Sequence, residues 1–190
     1  GKSLEICCMH LDKGQMWIGT TTDGAYRLQL DKNELTHPIL KGNITSIYQD
    51  SEGELWIGSW EEGLHHVKTD GTIEIFEYDA KNPYSISSNF VRACCEDNLG
   101  NIWIGTFNGL NRYDKSTGLF QNHTASDAQS DGLTHSSIWC IVKDNQGTLW
   151  LGTYFGGVNY FNPEYEIYSR YMYSPIEKKG LSNPVVGRTI

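Results

Sequence analysis

Asp97-Asn-Leu-Gly-Asn-Ile-Trp-Ile-Gly-Thr106 is the stretch on which the reading of this chain turns. It recurs as Asp50-Ser-Glu-Gly-Glu-Leu-Trp-Ile-Gly-Ser59 and as Asp144-Asn-Gln-Gly-Thr-Leu-Trp-Leu-Gly-Thr153. A copy one residue shorter is Asp12-Lys-Gly-Gln-Met-Trp-Ile-Gly-Thr20. The tryptophans Trp17, Trp56, Trp103 and Trp150 are spaced 39, 47 and 47 residues apart. Self-similarity at such a period signals a repeat architecture. Asp at the first position and Gly at the fourth (Asp50/Gly53, Asp97/Gly100, Asp144/Gly147) is the signature of a type I turn.

Each unit reads as four short strands. The first precedes the Asp: Leu4–Leu11, Ile44–Gln49, Phe90–Glu96 and Ser137–Lys143. Six residues before the Asp stands an apolar column, Ile6, Ile44, Val91 and Ile138. Four before, the column is small (Cys8, Ser46, Ala93, Cys140), as expected where strands converge on an axis. The second strand carries the Trp. Leu55 and Ile57 face one way, and Trp56 and Gly58 the other. Both faces are apolar, so this strand is expected to be covered on both sides. Third strands follow at Gly24–Leu28, Gly63–Val67, Gly109–Tyr113 and Gly157–Phe161, and weaker fourth strands at Glu34–Thr36, Ile73–Tyr78, Leu119–His123 and Glu166–Tyr171. Helical periodicity is lacking.

Four-stranded units of this length, buried on both faces, predict an all-β fold, a β-propeller. The expected blades are 2–40, 41–79, 80–124 and 125–173, with 174–190 opening a fifth. Leu181–Ile190 looks like the start of another inner strand, so the natural protein is expected to continue. An open arc would leave two apolar blade faces wet. Uncovering ~400 Å² costs about 10 kcal/mol, so the arc is expected either to close as a strained small ring or to pair end to end with a second copy, a homodimer through the exposed blade faces.

The Asp-x-x-Gly-x-Leu/Ile-Trp-Ile/Leu-Gly-Thr/Ser run, followed by Gly109-Leu-Asn-Arg-Tyr-Asp114, resembles the two-component regulator propeller repeat. Tyr84–Val91 and Gly180–Val186 resemble the lead-in to that family's innermost strand. The resemblance covers nearly the whole chain and is weakest in the first unit. It implies the periplasmic sensor region of a bacterial hybrid two-component histidine kinase, many of which respond to glycan fragments. The kinase and regulator modules are outside these 190 residues.

Composition agrees with a globular chain: 38% apolar and 12% aromatic residues. The net charge of −8 without a basic cluster argues against nucleic acid and anionic membrane surfaces as partners of this segment. The 5 cysteines cannot form a complete disulfide framework. Cys7 and Cys8, like Cys94 and Cys95, are adjacent on inner strands and read as buried free thiols. The histidines, His65 and His66 among them, have no metal-ligand spacing, and no cofactor motif is present.

The repeated Trp17, Trp56, Trp103 and Trp150, with Asp50, Asp97 and Asp144, read as structural, because a catalytic group needs to occur once. The informative column lies four residues beyond the Trp: Thr21, Trp60, Phe107 and Tyr154. It should share a rim with the long polar connections 79–89, 124–135 and 173–183. Its aromatics either cap the blades or stack on sugar rings. Trp60, Glu61, Phe107, Asn108, Tyr154, Phe155 and Asp131 are therefore the candidate ligand-binding residues. An enzyme, such as a polysaccharide lyase or hydrolase, would need one converging non-repeated cluster. Arg92, His135 and Tyr84 are scattered candidates for it. A pure interaction scaffold is the third reading.

Overall fold

The computed structural model describes residues 4–36, 38–125, 132–164, 167–172, 181, 183, 185 and 186. They form sixteen strands in four antiparallel sheets. Blade one contains β1 (Ile6–Asp12), β2 (Gln15–Thr20), β3 (Ala25–Gln29) and β4 (Glu34–Leu35). Blade two contains β5 (Ile44–Gln49), β6 (Leu55–Ser59), β7 (Leu64–Val67) and β8 (Ile73–Phe76). Blade three contains β9 (Val91–Glu96), β10 (Ile102–Thr106), β11 (Gly109–Asp114) and β12 (Leu119–His123). Blade four contains β13 (Ile138–Lys143), β14 (Leu149–Thr153), β15 (Val158–Asn162) and β16 (Ile167–Tyr171). Strand order within each blade is simply sequential. The all-β propeller fold expected from the repeats is the fold observed.

The Asp turns close as type I turns require. The carbonyls of Asp50, Asp97 and Asp144 accept from the N–H groups of Gly53, Gly100 and Gly147 at 3.0, 3.3 and 3.1 Å. Each of these glycines has φ between +82° and +84°, a region that a side chain disfavours.

Three apolar clusters lie between consecutive blades, and they repeat one rule. Trp17 packs with Leu55 and Ile57 of blade two, Trp56 with Ile102 and Ile104 of blade three, and Trp103 with Leu149 and Leu151 of blade four. The indole of one blade thus meets the Leu/Ile face of the next. Trp56 and Trp103 are buried, and Trp150, on the outward face of the last sheet, is half-buried. The glycine two residues after each Trp makes room for the apolar column of the following blade. A Cβ on Gly58 would lie 2.7 Å from Val91 Cγ1, and one on Gly105 would lie 2.7 Å from Ile138 Cγ2. A Cβ on Gly152 would lie 2.9 Å from Cγ1 of Val186, which stands against blade four as Val91 stands against blade two.

The inner strands β1, β5, β9 and β13 pack side by side in chain order. Each carries one irregularity in its pairing, at Ile6/Cys8, Ile44/Ser46, opposite Gly105/Thr106, and at Ile138/Cys140. The residue left out of the ladder lies between the two columns read from the sequence. In blades one to four it is Cys7, Thr45, Arg92 and Trp139. A β-bulge of this kind re-aims a side chain.

Candidate functional site

The rim is built by one hydrogen bond used four times. The amide N–H of Thr21, Trp60, Phe107 and Tyr154 donates to the carbonyl of Glu5, Asn43, Phe90 and Ser137, each at 3.0 Å. This ties the turn after each Trp strand to the entrance of that blade's inner strand. The aromatic column and the inner-strand entrances therefore share one rim. Trp60, Phe107, Tyr154 and Phe155 are 40%, 54%, 37% and 54% exposed there.

At this rim the four bulge residues meet. Cys7, Thr45, Arg92 and Trp139 line one pocket of about 170 Å³, together with Asn43, Ile44 and Trp60. The Arg92 guanidinium carbon lies 3.9 Å from the Trp139 ring centroid, 5.3 Å from that of Trp60 and 5.7 Å from that of Phe107. Trp139 stacks on Tyr154 at 5.7 Å with 18° between ring planes, and Tyr154 meets Phe155 edge-on at 4.2 Å. Phe90 bridges Trp60 and Phe107 at 5.5 and 6.1 Å.

Two bulge residues spend their donors on the next blade. Cys7 Sγ donates to the Ile44 carbonyl at 2.6 Å, and Thr45 Oγ1 to the Val91 carbonyl at 2.5 Å. The other two do not. Arg92 Nε and Nη1 and Trp139 Nε1 are buried and have no hydrogen-bond partner among the described residues. Burial in this low-dielectric setting pushes the guanidinium of Arg92 below its ordinary pKa, opposed by the nearby Tyr154 hydroxyl. Aromatic faces offset part of that cost.

Of the residues expected at the site, Trp60 lines the pocket, Phe107 reaches Arg92, and Tyr154 and Phe155 extend the aromatic wall beside Trp139. Glu61 and Asn108 are exposed on the same turns and do not line it. Asp131 lies outside the described residues. The sequence reading does not reach Trp139 and places Arg92 only among scattered candidates. The signal for both is a variable position flanked by two constant columns of the repeat. His135 accepts from the Ser137 amide through Nδ1 at 3.0 Å and approaches Phe155, while Tyr84 lines a separate hollow with Arg112 and Phe120. Arg92, His135 and Tyr84 are thus not brought together.

Elsewhere the carboxylates of Asp50, Glu52 and Glu54 lie within 4.8 Å of one another. Lys115 Nζ already sits 3.0 Å from Asp50 and 2.9 Å from Glu52, and Glu54 bonds His66 Nε2 at 2.6 Å. His66 is stacked on Trp56 at 3.9 Å, as a packing element of the blade.

The family model described as two component regulator propeller matches residues 38–61, 85–108 and 132–155. Each match runs from a lead-in segment to the rim pairs Trp60-Glu61, Phe107-Asn108 and Tyr154-Phe155. No curated protein matches the chain. Among solved structures, the extracellular domain assigned to the hybrid two component system BT4673 of B. thetaiotaomicron is similar over 96% of this chain and 24% of that one, at 22% identity and TM-score 0.74. A virginiamycin B lyase from Staphylococcus aureus, in an inactive form with quinupristin, aligns over 93% of this chain and 58% of its own, at 18% identity and TM-score 0.68. An auxiliary nutrient binding protein from Bacteroides thetaiotaomicron aligns over 87% of this chain and 40% of its own, at 8% identity and TM-score 0.64. These likenesses show the fold. The chain spans about a quarter of the length of the BT4673 domain.

Proposed function

We propose that this chain, which carries three two-component regulator propeller repeats, is a ligand-sensing segment of the periplasmic part of a hybrid two-component histidine kinase. In this reading it binds a glycan fragment at the rim and performs no catalysis itself. The observation that carries the reading is the convergence of four non-repeated side chains, Cys7, Thr45, Arg92 and Trp139, on one pocket beside exposed Trp60. The repeated residues build blades, and the variable bulge residues make a site. A pocket of about 170 Å³ is below the roughly 300–1,000 Å³ of drug-sized sites and suits a single sugar ring or its substituent. Aromatic faces and nearby polar groups match the two sides of a pyranose.

The pocket is lined from all four blades, so a ligand that bridges them favours one arrangement of the arc over another. Such differential affinity is what a signal requires. The readout we propose is rearrangement of a homodimer through the exposed blade faces. These faces present Met9 and Leu11 on blade one, 61% and 62% exposed, and Val142 and Tyr171 on blade four, 45% and 50% exposed.

Calorimetry with a panel of defined oligosaccharides tests the reading. Binding of at least one member is expected, weakened roughly tenfold by Trp60→Ala, as loss of an aromatic stack implies. Affinity unchanged in a Trp60→Ala/Tyr154→Ala double variant removes the rim site. Product release from the panel would refute the absence of catalysis.

A further inference from the structure

We propose that Arg92 makes this pocket a receptor for an anionic group, so that the saccharide it takes carries a carboxylate or a sulfate. This rests on the reading of the rim as a glycan site. The argument begins with the four equivalent bulges. Cys7 and Thr45 satisfy their donors on a neighbouring carbonyl. Arg92 occupies the same position in the third blade and leaves Nε and Nη1 buried without an acceptor among the described residues. Arg92 is half-buried as a residue, and guanidinium nitrogens taken out of water are ordinarily paired, because an uncompensated donor in a low-dielectric setting is costly.

The rings of Trp139, Trp60 and Phe107 hold the cation in place but accept no hydrogen bond from the guanidinium edge. Beside it, Trp139 Nε1 is a second buried donor without a partner among the described residues. The pocket thus carries a fixed positive charge beside donors that have no partner among the described residues and lie closed off from solvent, and its described lining residues include no carboxylate. An anion with several acceptor oxygens complements that set, since charge-assisted hydrogen bonds to guanidinium are the stronger kind. A neutral sugar would leave the charge uncompensated. The protein as a whole carries −8 and does not attract anions at long range, so selection would come from contact at Arg92.

The test is an NMR titration of the 190-residue chain, following the Arg92 Nε–H and the Trp139 and Trp60 indole N–H signals. The probes are sodium glucuronate, sodium sulfate, sodium acetate and glucose at equal concentration and constant ionic strength. Glucuronate is expected to shift the Arg92 and Trp139 signals, with glucose leaving Arg92 in place. Arg92→Met should weaken glucuronate at least tenfold, and Arg92→Lys should retain part of the affinity. Arg92→Gln serves if Arg92→Met does not fold. Equal response to glucose and glucuronate, unchanged in the Arg92 variants, overturns the anion requirement and leaves the glycan reading intact. Response to sulfate and acetate as strong as to glucuronate supports the anion site and removes the saccharide. No response to any anion overturns the proposal.

Discussion

The indole Nε1 of Trp103 donates to Oδ2 of Asp97 at 2.8 Å, joining the two most constant residues of the repeat. The same bond joins Trp56 to Asp50 at 3.0 Å and Trp150 to Asp144 at 2.9 Å. Asp97 Oδ1 also accepts from the amides of Leu99 and Asn101. One carboxylate therefore builds the turn and fixes the orientation of the indole that fills the space between blades. In blade one the turn is a residue shorter, and the buried Trp17 Nε1 has no partner among the described residues.

Asp97→Ala should cost about 2–4 kcal/mol, because it leaves the indole and two amides without their acceptor. Asp12→Ala should cost under about 1 kcal/mol, since Trp17 forms no such bond. Urea denaturation of both variants measures the contrast.

Gly105→Ala places a Cβ 2.7 Å from Ile138 Cγ2 and 3.1 Å from Ile138 Cβ. Blades three and four would have to separate slightly. A loss of about 1–3 kcal/mol is expected from overpacking, read as a lower melting temperature.

Asn111 is fully buried; its Oδ1 accepts from the Ser87 amide at 2.8 Å and its Nδ2 donates to the Ile104 carbonyl at 3.1 Å. It anchors the lead-in to β9, the strand that carries Arg92. Asn159 does the same for Thr134 ahead of β13. Asn111→Leu should cost about 1–3 kcal/mol through orphaned backbone groups and should speed hydrogen exchange at Ser87.

Burial alone would push Asp50 upward, but hydrogen bonds from Trp56, Lys115 and the Glu54 amide hold its carboxyl below the usual aspartate range. A carboxylate whose pKa is lowered by folding stabilises fully above the unfolded value, about 3.9, and loses that contribution as the pH falls through the folded value. Lys115→Met should therefore move acid unfolding to higher pH. Circular dichroism between pH 2 and 6, on the order of that window, follows it.

Burial pushes the thiols of Cys94 and Cys95 up to about 12 and about 11. The thiolate is the reactive form, so neither should react with a disulfide reagent at neutral pH in the folded state. Both should react in urea. Rapid native labelling of Cys94 would contradict this packing.

The repeat period, the Asp–Gly turns and the two-sided apolar Trp strands are local in sequence, and they alone determined the four-stranded units and their propeller class. The aromatic rim was legible for the same reason: Trp60, Phe107 and Tyr154 occupy one register position. The structural role of Asp97 was legible only as a turn; its bond to Trp103 depends on how the side chains fold back. The meeting of Cys7, Thr45, Arg92 and Trp139 is a property of the folded chain alone. Each is the residue a bulge expels from its own ladder, and they come together because the inner strands pack side by side around the arc. Whether a charge is paired depends on what surrounds it in space, so the Arg92 donors left without an acceptor among the described residues have no counterpart in the linear text.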